Sequence, residues 1–124
     1  MRFLVATTAL TLFAASALAA SAMSGKELTA LLKEGKTLTL GGLKEGYSGE
    51  LVVSKDGSAH GEAKTADGKI IKIDGTWHIK GNKFCRTWKE LDGGKEVCET
   101  WNKAGANSVR VMVGKKDAGL NSWN

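Results

Sequence analysis

The chain predicts a mainly β domain: a small antiparallel up-and-down β-barrel, or a strongly curled meander of 7–8 strands, with one short N-terminal helix. Three observations carry this. After Gly35 the apolar residues recur with a period of two in short segments. Those segments are punctuated by Asp56-Gly57, Asp67-Gly68, Gly81-Asn82, Asp92-Gly93-Gly94 and Ala104-Gly105, residues that tolerate positive φ and suit tight hairpins. The connections are also too short for crossovers, so neighbouring strands must pair antiparallel in sequence order.

The first element is not part of the domain. Met1-Arg2 is a short positive start, and Phe3 to Ala20 is an uncharged run rich in Ala, Leu and Thr. Ala17 and Ala19 form a small-residue cleavage site, with a second at Ala20-Ser21-Ala22. Residues 1–19 therefore read as a secretory signal peptide, cleaved after Ala19 or Ala22, and residues 20–124 as a single domain. The run ends in small residues instead of a positive stop-transfer cluster, which argues against a membrane anchor. A periplasmic or secreted location is expected.

The helix comes next. Ser24-Gly25-Lys26-Glu27 is a capping box, in which the Ser hydroxyl and the Glu carboxylate each satisfy a backbone N–H of the other's residue. Leu28, Leu31 and Leu32 fall on one face, and Gly35 is placed to end the helix in the left-handed conformation. A helix over residues 25–34 is too short to stand alone, so its Leu face must dock.

Strands are predicted at 37–40, 47–54, 58–64, 69–73, 76–80, 83–90, 95–103 and 108–113. Such a sheet cannot leave one apolar face bare, so it must curl, close or be capped by the helix. The absence of Pro is consistent with strands whose N–H groups are nearly all used.

Charge excludes one class of partner. Of 18 basic residues 15 are Lys, and removal of Arg2 with the signal leaves 17 basic residues against 13 acidic ones. They are scattered among the acids, as on a solvated surface, and only Arg86 and Arg110 could offer the fork that nucleic-acid recognition favours. Nucleic acid is not expected as a partner, nor is a membrane span after cleavage, and a monomer is expected.

Cys85 and Cys98 are an even pair in an exported chain, on segments flanking the Asp92-Gly93-Gly94 turn, and a structural disulfide is the default. The same hairpin carries a local repeat, Phe84-Cys85-Arg86-Thr87-Trp88 against Val97-Cys98-Glu99-Thr100-Trp101. Alternation puts Phe84, Arg86 and Trp88 on one face, with Val97, Glu99 and Trp101. If that face points inward, Arg86 and Glu99 sit diagonally and neutralise each other. If their pairing is incomplete, they could hold an anionic or zwitterionic ligand between indoles. Trp77, flanked at alternating positions by Ile71, Ile73 and Ile79, reads as a core tryptophan, and Trp123 as an edge cover.

The order of signal peptide, capped helix, Gly75-Thr76-Trp77 and the two Cys segments resembles a group of small exported β-rich proteins of Gram-negative bacteria. That resemblance implies a periplasmic or secreted domain and transfers no catalytic residues. The Gly-x-Trp also resembles that of lipocalin-like barrels, whose Trp pairs with a late Arg. Here Trp77 is mid-chain and Arg110 is on a late strand, so the likeness concerns architecture.

No enzyme motif is found. His60 and His78 are isolated in sequence, no metal or cofactor site is predicted, and Glu50 and Glu62 form a carboxylate pair only if their strands happen to align them. Two functions are therefore expected of a non-enzymatic chain. One is binding of a small apolar or aromatic ligand in a Trp-lined interior, with Trp77, Arg86, Trp88, Glu99 and Trp101 as candidate residues. The other is a disulfide-braced protein-interaction module, such as a periplasmic hydrolase inhibitor or an envelope interaction protein.

Overall fold

The computed structural model describes residues 21–124. The signal-peptide reading over residues 1–19 lies outside the described residues. The described chain forms one helix, α1 (Gly25–Leu32), and eight strands: β1 (Lys36–Gly42), β2 (Tyr47–Val53), β3 (Ser58–Thr65), β4 (Ile70–Lys80), β5 (Lys83–Trp88), β6 (Glu96–Gly105), β7 (Ser108–Val113) and β8 (Lys116–Ser122). Each strand pairs antiparallel with the next, and β8 returns to β1 to close a barrel.

The capping box forms as expected. Ser24 Oγ accepts from the Glu27 N–H at 3.1 Å, and the Ser24 N–H donates to Glu27 Oε1 at 3.2 Å. The helix ends at Leu32, two residues short of the predicted end, because the chain tightens there and the Gly35 N–H donates to the Leu32 carbonyl at 2.9 Å. Gly35 takes the expected left-handed φ of 87°. The N-terminus of α1 docks on the β4–β5 turn, where the Gly25 N–H donates to Asn82 Oδ1 at 2.8 Å, and a Cβ at Gly25 would overlap the Gly81 carbonyl. Leu28 and Leu32 are fully buried, and each contributes about 1.5–3 kcal/mol by closing this end of the core.

Two strand assignments differ from the sequence expectation. Segments 69–73 and 76–80 are one strand, β4, because the inward series Ile71, Ile73, Gly75, Trp77, Ile79 runs unbroken through Asp74-Gly75. Gly75 is there for proximity: a Cβ would overlap the Thr87 carbonyl of β5. Strand β8 is absent from the sequence expectation, since Lys116–Ser122 has one large apolar residue and no alternating apolar signal. The β6–β7 hairpin turns at 106–107 instead of at Ala104-Gly105, which belong to β6.

The seam between β1 and β8 is short, with only Thr39↔Ser122 and Leu40↔Asn121 in register. Tyr47 bridges it above these pairs: its phenol oxygen accepts from the Leu120 N–H at 3.0 Å, and a Cβ at Gly119 would overlap that oxygen. The β1–β2 turn adds an outer strap in which Glu45 pairs with Arg110 of β7. At the other end Ser21 to Met23 extend the ladder of β6, with Met23 N–H donating to Trp101 O at 2.8 Å and Lys103 N–H to Ser21 O at 3.0 Å.

Candidate functional site

The inner faces of β5 and β6 build the polar centre of the barrel. Arg86 stands opposite Val97, and Glu99 stands opposite Phe84, so Arg86 and Glu99 are diagonal neighbours. Arg86 Nε donates to Glu99 Oε2 at 2.9 Å, and Trp101 Nε1 donates to Glu99 Oε1 at 3.0 Å. Arg86 is 9% exposed and Glu99 is 7% exposed, so the pair is desolvated and depends on these hydrogen bonds. A second carboxylate reaches in from the turn: Asp92 accepts from Arg86 Nη1. The Arg86 guanidinium also lies 5.6 Å from the ring centroid of Trp88, within cation–π range.

Burial raises the pKa of Glu99 above its ordinary value of 4.5, against the opposing hydrogen bond from Trp101 and the charge and hydrogen bond of Arg86. The nearby charge of Asp92 pushes the same way as burial. Asp92 itself is held at φ 55°, a conformation that residues with a Cβ seldom adopt. Its tie to Arg86 folds the Asp92–Gly94 turn back over the barrel.

Towards α1 the interior is filled. Phe84 lies between Trp77, stacked at 5.8 Å, and Trp101, tilted at 4.9 Å between centroids. Trp77 Nε1 donates to the Ser54 carbonyl at 2.9 Å, closing the floor at the β2–β3 turn. Above this floor is a cavity of about 150 Å³. Trp88, Phe84 and Ile73 wall one side, with Leu40, Leu51 and Tyr47 opposite, while Glu99 and Asn121 present polar groups. The space exists because the inward residues of the facing wall are small. Gly49 stands opposite Ala63, and Gly61 opposite Leu51; a Cβ at either glycine would overlap the backbone of the neighbouring strand.

The structure thus divides the five residues singled out from sequence. Trp88 and Glu99 line the cavity; Arg86 and Trp101 lie behind Glu99 and fix its carboxylate; Trp77 belongs to the packed floor. Tyr47, Ala63 and Asn121 escape sequence reasoning. The alternation of Ala59, Gly61 and Ala63 on β3 is the available signal, since three small residues on an inward face leave volume unfilled.

The outer face carries other chemistry. Cys85 and Cys98 are directly opposite and form the expected disulfide, with Cα atoms 3.9 Å apart. His78 stands opposite Cys85 on the other side, and His78 Nε2 is 2.9 Å from Glu96 Oε1. His60 Nδ1 lies 2.6 Å from Asp74, which also meets Lys89 at 3.2 Å. Glu50 and Glu62 do face each other, exposed on the convex surface. Arg110 pairs with Glu45 and Asp117, and Trp77 with Ser54, so the Trp–Arg contact suggested by the lipocalin-like pattern is not the one made.

Comparison with protein families, with curated proteins and with solved structures finds no match. The molecule is a closed eight-stranded antiparallel barrel with a helical plug and a cross-strand disulfide. Among the described residues no helix is long and apolar enough to cross a membrane. The disulfide is compatible with a protein outside the cytoplasm.

Proposed function

We propose that this barrel binds a small molecule of single-ring size, bearing a hydrogen-bond donor, in the cavity beside Glu99. The observation that carries the reading is the interior cavity of about 150 Å³, walled by Trp88 and Phe84 and carrying the Glu99 carboxylate and the Asn121 amide. An apolar cavity of this size accepts benzene, whereas drug-sized ligands need roughly 300 Å³ or more. Glu99 supplies acceptor lone pairs in a setting where Arg86 and Trp101 already fix its orientation. Binding rather than catalysis is the proposed role, in the periplasm or outside the cell, where a disulfide persists. The closed sheet leaves no long free edge, which supports a monomer.

A protein-binding finger at Asp92-Gly93-Gly94 is less favoured, because Asp92 is tied inward to Arg86. The test is a titration of the oxidised protein with single-ring amines such as benzylamine, followed by indole fluorescence. Saturable quenching in the wild type and its loss in Ala63→Leu, which fills the cavity, is the expected result. Equal responses in both proteins would remove the cavity from the account.

A further inference from the structure

The outer face of β4, β5 and β6 carries a group of donors that the sequence separates and the register joins. His78, Cys85 and Cys98 stand in one lateral row across three strands, since His78 pairs with Cys85 and Cys85 with Cys98. Glu96 lies two residues before Cys98 on the same face, and its carboxylate reaches back to His78 Nε2 at 2.9 Å. One ligand atom each from His78, Cys85 and Glu96 already lies within 4.8 Å of the other two. Cys98 Sγ is bonded to Cys85 Sγ and shares that position. Cys85 is buried and Cys98 half-buried, while the His78 and Glu96 side chains are 56% and 41% exposed, so the group is open on one side.

We propose that reduction of the Cys85–Cys98 disulfide turns this patch into a zinc site, with Cys85 Sγ, Cys98 Sγ, His78 Nε2 and a Glu96 carboxylate oxygen as its four ligands. Two thiolates, an imidazole and a carboxylate form a borderline-soft set that suits zinc. Zinc bond lengths of about 2.0–2.3 Å put tetrahedral ligand atoms roughly 3.3–3.8 Å apart. Reaching that spacing asks His78 Nε2 and the Glu96 oxygen to part slightly from 2.9 Å, and the two sulfurs to separate from their bonded distance once the disulfide is broken, with Cys85 Sγ already within 4.8 Å of the other two donors.

The redox step needs a dithiol reductant. One of its thiolates attacks the Cys98 sulfur, the S–S bond breaks, and Cys85 leaves as a thiolate that takes up a proton. The second thiol then displaces Cys98 from the mixed disulfide, and the reductant departs oxidised to its own disulfide. Two electrons and two protons pass to the protein in all. Zinc binding afterwards displaces the two thiol protons to solvent. The cysteine pair thereby switches between a covalent staple and a metal clip.

Cobalt(II) is the probe. The protein reduced with a phosphine is expected to bind one Co²⁺ per chain, giving thiolate-to-cobalt charge transfer and the visible bands of a tetrahedral ion, while its far-ultraviolet circular dichroism keeps the barrel signature. The oxidised protein is expected to give neither band. Among reduced proteins, His78→Gln and the surface variant Glu96→Gln should each bind at least tenfold more weakly. A reduced barrel that takes up no cobalt would overturn the proposal. So would an octahedral spectrum without sulfur charge transfer, unchanged affinity in both variants, or loss of the β spectrum with cobalt bound.

Discussion

Arg86 and Glu99 meet inside the barrel on adjacent strands, Nε to Oε2 at 2.9 Å, with neither side chain more than a tenth exposed. Replacing Arg86 by Met strands the Glu99 carboxylate in the core and should cost about 3–5 kcal/mol. Adding Glu99→Gln to that variant should recover part of the loss, because the orphaned charge is gone. Urea unfolding of both single variants and the double variant gives the coupling directly. Strict additivity would mean that the two groups do not act as a pair.

The raised pKa of Glu99 fixes the sign of a pH effect. Between the ordinary value of 4.5 and the higher folded value, the native state holds a proton that the unfolded chain has released. Glu99 therefore contributes stability at low pH that is lost as pH rises through its folded pKa. The lowered pKa values of Glu27, Asp56, Asp67 and Asp74 act in the opposite sense at lower pH. In denaturant titrations from pH 4 upward, wild type should lose stability relative to Glu99→Gln. A difference that is flat or grows in favour of wild type contradicts the assignment.

The disulfide joins β5 to β6 across a sequence separation of 13 residues. Replacing both cysteines by Ala should lower stability by about 2–4 kcal/mol, most of it through the freed unfolded chain. Urea midpoints for the two proteins at equal m-value provide the comparison. A loss below 1 kcal/mol, roughly the worth of one ordinary hydrogen bond, would place the value of the pair elsewhere.

The two cleavage sites that the sequence predicts differ in what they would leave behind. Cleavage after Ala19 keeps Ser21, whose carbonyl accepts from the Lys103 N–H at 3.0 Å, and cleavage after Ala22 removes it. A chain starting at Ala20 should be more stable than one starting at Met23 by about 1 kcal/mol. Thermal unfolding of the two recombinant forms measures the difference.

Much of this architecture is legible in the sequence because period-two patterning and Gly-bearing turns act locally. The capping box at Ser24 and Glu27, the Cys85–Cys98 register and the shared face of Arg86 and Glu99 follow from spacing alone. Strand β8 does not, because its inward residues are Gly119 and Asn121, which carry no apolar signal, and its place is set by closure against β1 and by Tyr47. Gly75 misleads as a break because a glycine needed for close strand approach looks the same in sequence as one needed for a turn. The cavity and the His78–Cys85 neighbourhood are also hidden. Both depend on which strand lies beside which, and on small residues at Gly49, Gly61 and Ala63 whose effect is a missing volume.

The central claim is that the cavity beside Glu99 takes a ligand of single-ring size, and a ¹H–¹⁵N correlation titration of the oxidised protein with benzylamine tests it most directly. The account predicts saturable shifts concentrated at Phe84, Trp88, Glu99 and Asn121, and their loss in an Ala63→Leu protein whose other resonances remain those of a folded barrel. Shifts confined to the outer surface, or unchanged by filling the cavity, would contradict it.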